Sequence, residues 1–230
     1  MAMKSRIKIE GLAVGYGKHI VAENLDAELH EGDMVCLIGN NGVGKSTLLR
    51  TLAGFQNCCG GIMTVSDKVG VVLTEKPDVQ HLTVEEIVGM GRSSHTGFFG
   101  TLKAADKVAV ERALKVTGIA NFVKRNFAEL SDGEKQKVMI AKTLAQETPI
   151  IIFDEPTAFL DYPSKIELMC LLQRLAHEEG KSVLFSTHDI EMALQYVDMV
   201  WFLNAEHRMC VCPPSAVSLL KVKPYVEIKK

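Results

Sequence analysis

The sequence predicts one α/β domain with a mostly parallel core sheet, an antiparallel N-terminal sheet and an inserted helical lobe. Segments in which apolar and polar residues alternate open the 230-residue chain, and this pattern is typical of antiparallel strands. Continuous apolar runs later alternate with helical segments, as in a parallel sheet that is buried on both faces. The stretch from about 77 to 147 has mainly helical character. We therefore expect a core formed by residues 1–76 and 148–230, with the lobe between them.

The predicted strands follow from the period of the apolar residues. The first two alternate in polarity, and the later ones are short apolar runs that end at turn or polar residues. These strands are "RIKIEGLAVGYG", "AENLDAELHEGD", "MVCLIG" (34–39), "KVGVVL" (68–73), "PIIIFDE" (149–155), "SVLFST" (182–187) and "MVWFL" (199–203). A short irregular tail is expected after the last of them.

Helices are predicted between these strands from capping residues and apolar spacing. A serine or threonine followed three residues later by glutamate suggests a capping box, in which each side chain bonds the other residue's backbone amide. A glycine after the last apolar position suggests a helix C-terminus. The predicted helices are 46–54 ending at Gly54, one opening at Thr83 with Glu86, 103–118, one from Ser131 with Glu134 to about Gln146, and one opening at Ser164 with Glu167.

The composition argues against several classes of protein. The formal net charge is −2, so no strong global field attracts nucleic acid, and no nucleic-acid partner is expected. No stretch approaches the roughly 18 apolar residues of a membrane helix. The start, "MAMKSRIKIEG", lacks the apolar core of a signal peptide, so we expect a cytosolic chain with its six cysteines as thiols. His207, Cys210 and Cys212 lack the paired spacing of zinc sites.

The segment "GNNGVGKST" (39–47) predicts a nucleoside triphosphate site. It matches G-x-x-x-x-G-K-[ST] and lies between a buried strand and a helix, where such a loop cradles phosphates. Its glycines allow successive backbone amides to face an anion. Lys45 would place its charge on the β- and γ-phosphates, and Ser46 would offer its hydroxyl to Mg²⁺. The residues expected at the nucleotide are Gly39, Asn40, Asn41, Gly42, Val43, Gly44, Lys45, Ser46 and Thr47.

Two other strand ends supply groups for hydrolysis. "IIIFDE" puts Asp154 and Glu155 at the C-terminal end of a central strand, where open α/β sheets bind ligands. Asp154 is expected in the Mg²⁺ shell, and Glu155 is expected to accept a proton from the attacking water or to orient it. His188 follows the next apolar strand, and the segment between Glu155 and His188 is long enough for one helix. We expect its imidazole to bond the γ-phosphate or the attacking water.

The segment "LSDGE" (130–134), which we call the signature, has two interpretations. Ser131 and Glu134 fit a capping box, which is a purely structural role. The start of a helix also attracts phosphate, because its free backbone amides and partial positive charge face an anion. The local pattern alone leaves both interpretations open.

Taken in order, these motifs resemble those of ATP-binding-cassette (ABC) ATPases over nearly the whole chain. "GNNGVGKST" corresponds to Walker A, "IIIFDEP" to Walker B, "LSDGE" to the family signature LSGGQ and "AFLD" (158–161) to the D-loop. His188 matches the switch histidine, and Tyr16 matches the aromatic residue that stacks on adenine. The resemblance implies a P-loop NTPase fold, ATP and Mg²⁺ as ligands, and a place for Asp161 in the nucleotide site.

The resemblance also implies that two copies of the chain pair head to tail. Each ATP would then lie between the phosphate loop of one copy and the signature of the other. Ser131 and the amide of Gly133 would reach the γ-phosphate across this interface. On this interpretation the capping box describes the free subunit.

Two motifs depart from the family pattern. Asp132 replaces a glycine and Glu134 a glutamine, and carboxylates near a γ-phosphate are unfavourable unless they turn away or nearby lysines offset them. At the Q-loop, "VVLTEK" places Thr74 where the family has glutamine, with Glu75 next. We expect the Thr74 hydroxyl to point towards Mg²⁺ or water, with Glu75 as an alternative metal ligand.

Residues 82–102 resemble the helical lobe of importer cassettes that serve iron–siderophore, haem and cobalamin permeases. The resemblance implies a subunit at the cytoplasmic face of the membrane that powers import of such a chelate. Its partners would be membrane-spanning permease subunits and, through them, a substrate-binding protein. A permease helix would dock against residues 74–100, where Phe98 and Phe99 either contact that helix or pack within the lobe.

Three alternatives remain on the sequence alone. The first is another cargo, such as an amino acid, a lipid or an exported drug. The second is a cassette that acts on nucleic acid or ribosomes, although this chain lacks both the long coiled coil and the fused second cassette of those relatives. The third is a nucleotide-regulated binding module, against which the presence of Glu155 and His188 argues.

Overall fold

The structure, a computed structural model, describes residues 4–17, 19–74, 79–96 and 101–220. Within these ranges the strands form two sheets. The strands are β1 Ser5–Tyr16, β2 His19–His30, β3 Met34–Gly39, β4 Gly60–Val65, β5 Val69–Val72, β6 Ile150–Phe153, β7 Ser182–Ser186, β8 Met199–Leu203 and β9 Met209–Cys212. The α-helices are α1 Lys45–Leu52, α2 Val84–Gly89, α3 Ala104–Val116, α4 Asp132–Leu144, α5 Tyr162–His177 and α6 Ile190–Ala193. Short 3₁₀ helices cover Met90–Arg92, Ala120–Phe122, Phe127–Glu129 and Pro214–Leu220.

The core sheet has the strand order β5-β6-β7-β3-β8-β9. Its strands run parallel except for β9, which pairs antiparallel with β8 at one edge. One face packs against α5 through residues such as Leu172, and the other packs against α1 and the N-terminal sheet through residues such as Leu48. Both faces are therefore buried, which explains the continuous apolar runs. The carboxyl ends of β3, β6 and β7 meet at one edge, called here the phosphate edge.

The N-terminal sheet has the order β2-β1-β4, and all of its pairs are antiparallel. The predicted pair β1–β2 is confirmed. The third strand, β4, was not among the predicted strands, because none of its residues is fully buried and "GGIMTV" shows no alternation of apolar and polar residues. Gly61 in β4 has φ 78°, and a Cβ there would lie 2.2 Å from the Gly11 carbonyl oxygen. This close approach of two backbones requires glycine.

The helical lobe has its own apolar core, to which α2, α3 and α4 contribute. Thr83 caps α2 in a complete capping box with Glu86, as predicted. A buried arginine, Arg92, holds the lobe together. Its Nε donates to Asp106 Oδ1 at 3.0 Å, and its Nη1 donates to the Ala145 carbonyl at 2.7 Å. These bonds join the start of α3 to the end of α4.

Two local predictions were wrong. Helix α5 begins at Tyr162 rather than at Ser164, because the Asp161 carboxylate accepts from the Ser164 amide at 3.0 Å and so acts as the N-cap. The tail after β8, expected to be irregular, forms β9 and a 3₁₀ helix in its described part, up to residue 220. The predicted strands are otherwise present, with most ends within two residues of the prediction. The exception is β2, which begins and ends three residues earlier than predicted.

No helix among the described residues is long and apolar enough to cross a membrane.

Candidate functional site

The phosphate loop, residues 39–47, joins the end of β3 to the start of α1. Gly39, Gly42 and Gly44 have backbone φ angles of 155°, 78° and 113°, which residues other than glycine rarely adopt. A Cβ on Gly39 would lie 2.3 Å from the Leu203 carbonyl oxygen, so the loop also lies close against β8. Asn40, Asn41, Val43 and Thr47 lie on the same loop and helix start. The backbone geometry is that of an anion-binding loop.

Lys45 crosses this loop from the first turn of α1. Its Nζ donates to the carbonyl oxygens of Gly39 at 2.8 Å and Asn40 at 2.9 Å. Burial lowers the pKa of Lys45, and the negative charges of Glu155 and Asp154 oppose that shift. The cation is thus held at the loop by backbone carbonyls and by the field of two carboxylates.

Asp154 connects the end of β6 to the phosphate loop and to β7. Its Oδ1 accepts from Ser186 Oγ at 2.8 Å and from Ser46 Oγ at 3.4 Å. Ser46 and Asp154 therefore present a hydroxyl and a carboxylate side by side. Oxygen donors of this kind suit a hard cation such as Mg²⁺, so the residues present fit that ion.

Glu155 and His188 form a direct pair. His188 Nε2 lies 2.6 Å from Glu155 Oε1, and both side chains are partly exposed. Glu155 has φ 48°, a left-handed backbone conformation that is unusual for glutamate. Its amide donates to Ser186 Oγ at 2.9 Å, which fixes this turn to β7. His188 was predicted to bond phosphate or water, and the structure shows that its first partner is the carboxylate that would act on that water.

Tyr16 and Thr74 lie at the border of this site. Tyr16 is 52% exposed at the end of β1, and its hydroxyl lies 3.4 Å from Thr47 Oγ1. Its ring is thus available beside the first turn of α1. Thr74 Oγ1 donates to the Asp154 carbonyl oxygen at 2.6 Å, so its hydroxyl hydrogen bonds the backbone of that turn and does not point towards a metal ion as expected. Glu75, Phe98 and Phe99 lie outside the described residues.

The signature lies at the N-terminus of α4, away from the sheet. Ser131 caps the helix, since its Oγ accepts from the Glu134 amide at 3.3 Å. Glu134 Oε2 accepts in turn from the Ser131 amide at 2.8 Å and from the Ser131 hydroxyl at 2.9 Å. The capping-box interpretation is therefore confirmed. These two bonds from Ser131, followed by the charges of Arg125 and Lys137, lower the pKa of Glu134.

Helix α4 is joined to α5 close to the signature. A Cβ on Gly133 would lie 3.1 Å from Ser164 Oγ, so the starts of the two helices are in close contact. Lys137 Nζ pairs with Glu167 Oε2 at 2.6 Å. Lys137 is one of the lysines near the signature carboxylates, and its charge lowers the pKa of Glu134 while its direct partner lies on α5. Asp161, expected at the nucleotide, is the N-cap of that same helix.

His207 was missed by sequence reasoning as a residue of this region. It lies in the turn between β8 and β9, and its Nδ1 lies 3.1 Å from the Val43 carbonyl oxygen of the phosphate loop. Its φ is 59°, so the turn holds it in a left-handed conformation. The sequence carried no signal for this contact, because 164 positions separate the two residues.

Comparisons with known proteins agree with this geometry. The sequence profile of the ABC transporter family matches residues 22–158. The ferric enterobactin transport ATP-binding protein of Escherichia coli is 36% identical over 205 residues, which are 84% of this chain and 76% of that protein. A metal-chelate type ABC transporter in an inward-facing conformation superposes with a TM-score of 0.87 at 29% identity, covering 95% of this chain and 88% of that one. A bacterial ABC transporter cassette in a dimeric structure gives a TM-score of 0.76 at 26% identity, covering 90% and 98%.

Proposed function

The chain belongs to the ABC transporter family as an ATP-binding subunit that hydrolyses ATP to power transport, and we propose that the transporter imports a metal chelate. The chelate would be an iron–siderophore, haem or cobalamin-type complex. The observation that supports ATP hydrolysis is that three charged groups lie together at the phosphate edge, namely Lys45, Asp154 and Glu155. The likeness to a ferric siderophore cassette and to a metal-chelate type transporter supports the cargo.

The residues of the phosphate edge divide the work of hydrolysis. The backbone amides of the phosphate loop and Lys45 bind the phosphates and stabilise the charge that develops on them. Glu155 accepts a proton from the attacking water, or orients that water. His188, 2.6 Å from Glu155, holds this carboxylate in place. Tyr16 provides an aromatic ring on which the adenine base can stack. Asp161 lies where the loop after Asp154 and Glu155 enters α5.

Ser46 and Asp154 would hold Mg²⁺, with Thr74 beside them on the Asp154 carbonyl. When bound, the ion offsets negative charge on the β- and γ-phosphates. The protein's own part is to keep the hydroxyl and the carboxylate together at the end of the sheet.

The proposed working form is a pair of these chains. The signature of one copy, with Ser131 and the Gly133 amide, completes the site at the phosphate loop of the other. ATP closes the pair and hydrolysis opens it, which moves permease subunits between two states. The subunit would thus lie at the cytoplasmic face of the membrane through its permease, and a substrate-binding protein would deliver the chelate from the other side.

Uptake measurements test the cargo and the ATPase role separately. Host cells that lack this subunit would receive the wild-type gene or a Glu155→Gln variant at matched expression. We expect the wild type alone to restore uptake of a radiolabelled ferric siderophore or of cobalamin, with a labelled amino acid as the control cargo. Restoration of amino-acid uptake alone would contradict the cargo but not the ATPase. Full chelate uptake with Glu155→Gln would contradict the role of Glu155.

A further inference from the structure

Arg125 lies beside the signature, just before the short 3₁₀ helix Phe127–Glu129 that leads into it. Its carbonyl accepts from the Val84 amide at 3.0 Å, and its amide donates to the Phe122 carbonyl at 2.8 Å. Its guanidinium lies 5.1 Å from the centre of the Phe122 ring, within the range of a cation–π contact. The side chain is 43% exposed, so these contacts position a cation that is still open to a change of partner.

Arg125 contacts the same carboxylate that holds Ser131. Glu134 Oε2 accepts from the Ser131 amide at 2.8 Å and from the Ser131 hydroxyl at 2.9 Å. The other oxygen of this carboxylate, Oε1, lies 3.5 Å from Arg125 Nη1. A hydrogen bond between charged groups is usually about 2.8 Å long, so this ion pair can still shorten. Glu134 thus has a second partner within reach while it is bound to Ser131.

The lysines near the signature make other contacts. Lys137 Nζ pairs with Glu167 Oε2 at 2.6 Å, and Lys135 Nζ lies 5.9 Å from the centre of the Phe127 ring. The bonds from Ser131 lower the pKa of Glu134 most, and among the nearby charges Arg125 has a larger effect than Lys137. Of these three cations, Arg125 is therefore the best placed to bind the Glu134 carboxylate.

Pairing on ATP would place a new demand on Ser131. Its hydroxyl has one hydrogen to donate, so it has to leave Glu134 before it can donate to a γ-phosphate. The carboxylate would then lose a donor at the moment when a second anion approaches, and two negative charges repel each other. A guanidinium offsets this loss, because it can bind both oxygens of a carboxylate at once.

We propose that Arg125 is a positioning residue of the signature, which binds the Glu134 carboxylate in place of Ser131 when the Ser131 hydroxyl turns to ATP on a second copy. This inference rests on the proposed function, since it requires two copies that close on ATP. Arg125 acts through Glu134 and needs no contact with the nucleotide. Its removal should therefore matter only while residue 134 carries a carboxylate.

The test is a double-mutant cycle of ATP-dependent pairing in the full chain. Glu155→Gln serves as the background, because removing the proton acceptor slows the consumption of bound ATP. Light-scattering mass is followed at fixed protein concentration as Mg-ATP is added. Arg125→Gln is compared with and without Glu134→Gln, and Arg125→Lys keeps the positive charge. Lys124→Gln is the matched control, since it removes a positive charge from the exposed neighbouring position.

We expect Arg125→Gln to raise the Mg-ATP concentration at half-maximal pairing about tenfold, which is about threefold for an exposed ion pair at each of the two signatures. Arg125→Lys should recover part of this loss, because an ammonium also binds a carboxylate but lacks the planar fork of donors. In chains that carry Glu134→Gln, the same Arg125→Gln change should shift pairing by less than about twofold. Lys124→Gln should pair like the background.

The possible failures are distinguishable. Unchanged pairing of Arg125→Gln, in a background that does close on ATP, would overturn the role of Arg125 and leave the proposed function intact. An equal loss with and without Glu134→Gln would overturn it as well, since Arg125 would then act on the fold or on the nucleotide directly. An equal loss in Lys124→Gln would reduce the effect to net charge and overturn the specific contact. A background protein that binds ATP and stays a single chain would overturn the pairing itself, and the role of Arg125 with it.

Discussion

The phosphate edge and the signature differ in how their functional groups are held. At the phosphate edge the bonds come from distant parts of the chain, such as Ser186 to Asp154 and Ser46 to Asp154, which are 32 and 108 positions apart. At the signature the principal bonds join Ser131 to Glu134, three positions apart, on an exposed helix start. One half of the site is fixed by the whole sheet, and the other by a local cap.

This difference explains what each half can do without a partner. The groups at the phosphate edge are held by hydrogen bonds from distant parts of the chain. They are therefore preorganised, so the free energy of binding is not spent on arranging them. The Ser131 hydroxyl already donates to Glu134, so this bond must break before the hydroxyl can donate to a phosphate. In the proposed pair, a second copy and its ATP would have to replace this arrangement of the signature.

The largest expected effect concerns the preorganised half. Glu155→Gln should lower steady-state ATP turnover by about 10²–10⁴, because the amide cannot accept the proton of the attacking water. The amide oxygen can still accept from His188, so the geometry and ATP binding should persist. Phosphate release measures the rate. Glu111→Gln, an identical change at an exposed ion pair of α3, should have no effect.

An unchanged rate in Glu155→Gln would show that the phosphate edge works without this carboxylate. A parallel loss in Glu111→Gln would instead point to a general effect on the fold.

An intermediate effect is expected at the signature. Glu134→Gln, made in the Glu155→Gln background, should lower the ATP concentration needed for pairing by about tenfold. It removes one negative charge from the end of α4 that would face a phosphate in the proposed pair, and it weakens the bonds that hold Ser131. The pKa of Glu134 is lowered, so its carboxylate stays charged at and above neutral pH and the benefit should persist across that range.

The chain provides a matched control for this prediction. Glu86 closes an equivalent capping box with Thr83 at the start of α2, and its pKa is lowered by the same kinds of bonds. Both boxes stabilise the fold above the ordinary pKa of glutamate, and this contribution is lost as pH falls through the lowered value. Glu86→Gln should therefore weaken its helix cap equally but leave pairing unchanged. Weaker pairing in Glu134→Gln would mean that the carboxylate supports the interface.

The contrast also explains what the sequence could predict. The phosphate loop, the Walker B carboxylates and the capping boxes are coded by residues that are adjacent or a few positions apart, and their backbone requirements appear as glycines and caps. The antiparallel pair β1–β2 and the parallel core followed from the apolar period. The strand β4 and the Asp161 cap did not, since the first has no fully buried residue or alternating pattern and the second competes with a serine that also fits a cap. Contacts such as His207 with Val43 depend on the folded sheet and leave no local pattern.

The smallest expected effect concerns that contact. His207→Ala should weaken ATP binding only a few-fold, about the 1 kcal/mol of one ordinary hydrogen bond, because the loop keeps its glycines and Lys45. His207→Asn should retain most of the affinity, since asparagine tolerates a left-handed backbone and its amide can donate to the Val43 carbonyl. Titration with a fluorescent ATP analogue measures both. Equal affinity of His207→Ala and the wild type would mean that the sheet alone holds the phosphate loop, and that the preorganised half needs no support from the β8–β9 turn.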